Sequence, residues 1–159
     1  MSQADTRREL TWFVVESQDR WYRAVCRFSP ALSGRRESVR IVRVVPASLA
    51  SFVSRVKGAR GNTIIVWALA SEPYSVSDVR DTSDEFGKRQ GPSWSESLDF
   101  IASIRSESPQ ALQVAALGPK AAAEVVLAAR EAGIAVFLES IESLPRLEKP
   151  MQRHFDPLG

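Results

Sequence analysis

The sequence predicts an α/β domain of three layers: a doubly wound, five-stranded parallel sheet in the order 2-1-3-4-5, with helices on both faces. Three observations carry that prediction. Five short β-rich runs (Thr11–Ser17, Val39–Val45, Thr63–Leu69, Leu112–Leu117 and Ala135–Glu139) alternate with stretches of helical periodicity. Thr63–Leu69 (TIIVWAL) is apolar throughout except at its first residue, as a central strand covered on both faces would be. Val39–Val45 (VRIVRVV) is broken by Arg40 and Arg43, which suits a strand at the sheet edge.

In chain order, Thr11–Ser17 (TWFVVES) ends in polar residues and forms the first strand. From Asp19 the period becomes helical. Trp21, Val25, Phe28 and Leu32 recur every three or four residues, with Arg20, Arg23 and Arg27 opposite, and Gly34 closes the helix. After the second strand, Pro46 fits a first helical turn, where its missing N–H costs nothing. Leu49, Phe52, Val53 and Val56 make the stripe of that helix, and Gly58 stops it. Beyond the third strand, residues 70–92 show no sustained period, which predicts a long functional or mobile loop. Ser93 and Glu96 have capping-box spacing ahead of Leu98, Ile101 and Ile104, and Pro109 ends that helix. Leu112–Leu117 (LQVAAL) is the fourth strand, and Gly118-Pro119 opens a helix from Lys120 to Ala132, ended by Gly133. Ala135–Glu139 (AVFLE) is the fifth strand, and Leu144–Phe155 is a last helix, interrupted at Pro150. One domain over 11–155 is therefore expected, with a flexible segment over 1–10 and a tail over 156–159.

Composition narrows the class. The chain is 44% hydrophobic and 25% charged, near the globular average. Its longest apolar run, Ile64–Ala70, falls far short of the roughly 20 residues that span a bilayer, so no membrane association is expected. Cys26 is the single cysteine, which suits a reducing cytoplasm. No secretory leader is visible in the polar first ten residues. Residues 1–60 hold 12 Lys and Arg against 5 Asp and Glu, whereas residues 61–159 hold 9 against 14. That asymmetry admits nucleic acid as a partner through Arg20, Arg23, Arg27, Arg35, Arg36, Arg40 and Arg43, although solvated arginines are ordinary.

The stretch from Leu112 to the C terminus resembles the receiver domains of two-component response regulators. A short strand is followed by a helix ending in AREAGI (Ala129–Ile134), then AVFLES (Ala135–Ser140) and a closing helix. Strand and helix order extend the resemblance over nearly the whole chain, as a flavodoxin-like fold. The resemblance implies an acidic pair for Mg²⁺ after the first strand, a phosphoacceptor aspartate ending the third, a Ser or Thr ending the fourth and a Lys ending the fifth. In this chain those positions hold Glu16 and Ser17, Trp67, Gly118 and Ser140, and Ile141 stands where a proline usually follows the Lys. Phosphotransfer residues therefore do not carry over, which makes the expected domain a degenerate receiver. Trp67 then reads as a plug in the former acceptor pocket, or simply as a core tryptophan whose indole N–H needs a partner.

Other chemistry finds few residues. The switch point between strands one and three would gather Glu16, Ser17, Asp19 and Glu72 for a small polar ligand or a metal; Asp19 equally suits a helix cap. Gly118-Pro119-Lys120 would add a helix N-terminus and a cation there. Asp78, Asp81, Asp84 and Glu85 lack the spacing of an EF-hand. His154 has no GxSxG serine to serve and suits a helix C-terminus, while Cys26 is expected to pack beside the apolar stripe. No cofactor, metal site or enzymatic activity is expected. The leading expectation is a cytoplasmic protein-interaction or signalling module that engages a protein partner or a second copy of itself. Its docking face would be the fourth helix, fifth strand and last helix, with Val126 and Leu127, or the anchors Trp94, Tyr74 and Phe86. The alternatives are a small-ligand or nucleotide-binding domain at the switch point, and an accessory nucleic-acid binder.

Overall fold

A computed structural model describes residues 8–32, 37–68, 94–117 and 123–155. Its strands are β1 (Arg8–Val15), β2 (Glu37–Val44), β3 (Asn62–Ala68), β4 (Leu112–Ala116) and β5 (Val136–Leu138). Its helices are α1 (Arg20–Leu32), α2 (Phe52–Gly58), α3 (Trp94–Glu107), α4 (Ala123–Ala132) and α5 (Glu148–Phe155), with 3₁₀ turns at Pro46–Ser51 and Ile141–Leu147. The strands form one sheet in the order β2-β1-β3-β4-β5, and every pairing is parallel. Sheet order and edge position match the expectation, and β2 holds the edge where Arg40 and Arg43 interrupt its apolar pattern.

Strand alternation divides the core in two, because successive side chains of a strand leave opposite faces of the sheet. Phe13, Val15, Ile65 and Trp67 meet Phe52 and Val56 of α2, Ile101 and Ile104 of α3 and Ala129 of α4. Trp12, Val14, Ile64 and Val66 meet Trp21 and Val25 of α1 with Leu144, Leu147 and Met151. The five residues Thr63–Trp67 of β3 are all buried, as a strand with helices on both sides requires.

Several boundaries differ from the sequence reading. β1 begins at Arg8 and pairs with β2 from Glu37 onward, so residues 8–10 belong to the sheet rather than to a leading segment. Leu10 is the cause: it is buried in the α1-side core, and its burial extends the ladder. The last helix is divided before Pro150, not at it. Ile141–Leu147 is 3₁₀ around Pro145, and Pro150 falls in the first turn of α5, where no intrahelical N–H is required. Cys26 is exposed rather than packed, since one residue of helical rotation carries it away from the buried Val25. The predicted loop 70–92 and the Ser93 cap lie outside the described residues, as do residues 1–7, 33–36, 118–122 and 156–159.

Two glycines are demanded by geometry. Gly61 sits at φ 78° between α2 and β3, and a Cβ there would run into the backbone of Glu9 on β1. Gly133 ends α4 at φ 137°, with its amide bonded to the carbonyls of Ala129 (3.1 Å) and Arg130 (3.2 Å) and the Arg105 side chain against it.

Candidate functional site at the strand ends

Parallel strands bring the carboxyl ends of β1, β3, β4 and β5 to one side of the sheet, where this topology places its ligand crevices. The first strand end supplies Glu16, only 4% exposed. Its carboxylate turns toward α1 and accepts the backbone N–H of Trp21 (3.0 Å) and of Tyr22 (2.7 Å). Both oxygens are thus engaged as a cap on the free amides of the first helical turn. Burial raises the Glu16 carboxyl above its ordinary value; the two amides and Arg43 oppose that rise, and Asp19 adds to it. Asp19 holds the N-cap position, its carbonyl accepting the Arg23 N–H at 2.9 Å, while its carboxylate pairs with the Arg23 guanidinium, Nε to Oδ2 at 2.7 Å. Ser17 is exposed, and its carbonyl accepts from the Arg43 guanidinium at 3.2 Å.

Near the end of β3, Trp67 is fully buried on the α2 face of the sheet. Its ring stands edge-on to Phe52 at 5.7 Å, and Phe52 in turn to Phe13 at 5.3 Å. The indole N–H donates to Gln113 Oε1 at 3.0 Å, and Gln113 Nε2 donates to the Ile101 carbonyl at 3.0 Å. A buried donor, a buried amide and a helix carbonyl are therefore satisfied in one chain. Sequence reasoning missed Gln113. The available signal was a single amide inside the apolar strand LQVAAL, which when buried must find partners. Ser140, two residues beyond β5, has extended backbone and pairs its hydroxyl with that of Ser143 at 3.1 Å.

The structure thus brings Glu16, Ser17 and Asp19 near one another but engages each of them internally. Glu72, Tyr74, Phe86, Gly118 and Lys120 lie outside the described residues, as does the side chain of Trp94, the first residue of α3. On α4, Val126 is half-buried against the core and Leu127 is 56% exposed. The apolar excess expected of this helix comes down to Leu127, because Ala129 is buried and Val125 and Ala128 are half-buried. His154 donates from Nε2 to the Gln110 carbonyl at 2.8 Å, which ties α5 to the turn before β4. The seven arginines offered for nucleic acid do not share one face. Arg43 leaves β2 on the side of Val39 and Ile41, toward α1, Arg40 leaves on the opposite side, and Arg35 and Arg36 are not described.

No family model matches the chain, and no curated protein matches it. Solved structures do. A CheY-like protein (tadZ) from Pseudomonas aeruginosa superposes with a TM-score of 0.59 at 14% identity, covering 89% of this chain and 92% of its own. A protein named for pilus assembly (cpaE) from Burkholderia thailandensis gives 0.56 at 16% identity, covering 91% and 97%. The beryllofluoride-activated NtrC4 receiver domain, solved as a dimer, gives 0.56 at 15% identity, covering 94% and 98%. These likenesses define the class: the chain has the flavodoxin-like fold of receiver domains, with the sheet order 2-1-3-4-5. At these identities the likeness is one of fold.

Proposed function

We propose that this chain is a receiver-like protein-interaction or signalling module that works without aspartyl phosphorylation and without catalysis of its own. The observation that carries this reading is Trp67. Trp67, the last residue but one of β3, is a fully buried indole with its N–H bonded to Gln113, where phosphotransfer would need a solvent-accessible carboxylate. Glu16 supports the reading, since its carboxylate is buried and each of its oxygens already accepts an N–H of the first turn of α1. Those same bonds weigh against a small-ligand site built on Glu16 at the switch point.

Output then rests on a surface instead of a phosphate. The face of α4, β5 and α5, with Leu127 exposed on α4, is the docking surface of this reading, for a protein partner or a second copy in the cytoplasm. One of the structural neighbours is named for pilus assembly, and docking within a larger protein assembly is in keeping with that name. The test is incubation with acetyl phosphate and Mg²⁺ followed by intact mass and alkaline hydrolysis. The expected result is no phosphoryl adduct. A stoichiometric, alkali-labile adduct overturns the reading.

A further inference from the structure

A cavity of about 540 Å³ opens at the other end of the sheet, beside the amino ends of β1 and β2. Glu9, Thr11 and Phe13 of β1 and Ser38, Arg40 and Val42 of β2 form its floor, and Arg55, Gly58, Ala59 and Arg60 of α2 and its exit form the wall. Alternation puts the six floor residues on one face of the sheet. The floor is apolar at Phe13 and Val42, which pack with the α2-side core, and hydroxylated at Thr11 and Ser38.

Charge is the unusual feature. Three arginines, Arg40, Arg55 and Arg60, and one acidic residue, Glu9, are among the residues lining a single concavity. None of the four is in an ion pair among the described residues. Arg55 lies over the Phe13 ring, 5.9 Å from its centroid. Like charges gathered against an apolar floor repel one another, and a bound anion relieves that repulsion with charge-assisted hydrogen bonds. A volume of this size, within the roughly 300–1,000 Å³ of small-molecule pockets, suits a compact ligand better than a macromolecular surface.

We propose that this cavity binds a phosphate ester of nucleotide size, its phosphate among Arg40, Arg55 and Arg60 and its body against Val42. Glu9, Thr11 and Ser38 then offer acceptors and hydroxyls to the polar groups of that body. The site is formed by residues remote from Glu16 and Trp67, so it stands whether or not the chain takes a phosphoryl group.

Calorimetric titration with AMP, glucose 6-phosphate and phenyl phosphate tests it, with adenosine and inorganic phosphate as the truncated probes. At least one ester should bind at one site, about tenfold or more tighter than either truncated probe. Arg40→Gln with Arg60→Gln should weaken that ester about tenfold or more, whereas Arg20→Gln with Arg27→Gln on α1 should not. Gly58→Glu is a second variant. Its Cβ meets nothing within 4 Å, so it adds a carboxylate at the wall without a clash and should abolish binding at an unchanged melting temperature. Absence of binding by all three esters at millimolar concentration overturns the proposal. So does equal binding of a truncated probe, or an equal loss in the α1 variant.

Discussion

Trp67 and Glu16 lie at adjacent strand ends, and each is held by ordinary core chemistry. Trp67→Asp would bury a carboxylate without a cation and open a cavity between Phe52 and Gln113. We expect a loss of about 3–5 kcal/mol in chemical denaturation. Glu16→Gln keeps one acceptor but turns an NH₂ group toward a backbone N–H, and should cost about 1–2 kcal/mol at neutral pH. Its pH dependence has a definite sign. Burial holds the Glu16 carboxyl above its unfolded value of 4.5. Its contribution to stability is therefore complete below pH 4.5, declines as pH rises through the raised value and is then level. The advantage of the wild type over Glu16→Gln should be larger at acid pH than at neutral pH. An advantage that grows with pH would contradict the burial of this carboxyl. Neither role was legible in the sequence. A tryptophan in an apolar run announces burial but not its partner, and whether the carboxylate of Glu16 or of Asp19 caps α1 depends on how the chain turns after β1.

At the scale of elements, five strands and their order were legible because apolar period and Arg-broken edges report burial directly. Ends were not. β1 gains three residues through Leu10, and the last helix divides because Pro145 fits a 3₁₀ turn while Pro150 fits a first α-turn. Gly61 shows what a stripe cannot reveal: its need arises from Glu9, 52 positions earlier, across the β1–β3 pairing. Gly61→Ala should destabilise by more than about 1 kcal/mol, measured by urea unfolding, since both positive φ and the Glu9 backbone oppose a Cβ. On α4, Leu127→Arg should leave stability within about 0.5 kcal/mol of wild type, because the side chain is exposed. If this helix is the docking surface, the same change should abolish self-association or partner capture, as read by sedimentation or co-purification. Unchanged association would move the surface elsewhere.

For the whole molecule, the two ends of the sheet have different characters. Among the described residues, the carboxyl end, where phosphotransfer or a switch-point ligand would sit, carries a buried indole, a capping carboxylate and paired serines. The amino end of β1 and β2 carries the open, positively charged cavity. The charge asymmetry between residues 1–60 and the remainder was visible in composition, but its disposition was not, because neighbouring residues of β2 leave on opposite faces. The central claim, a receiver-like fold that does not use an aspartyl phosphate, is tested most directly by ¹H–¹⁵N NMR during titration with beryllofluoride and Mg²⁺. The account predicts no saturable shifts at the amides of Glu16, Trp67, Leu117 and Ser140 or at the Trp67 indole. Saturable shifts clustered at those strand ends, dependent on both Mg²⁺ and beryllofluoride, would contradict it.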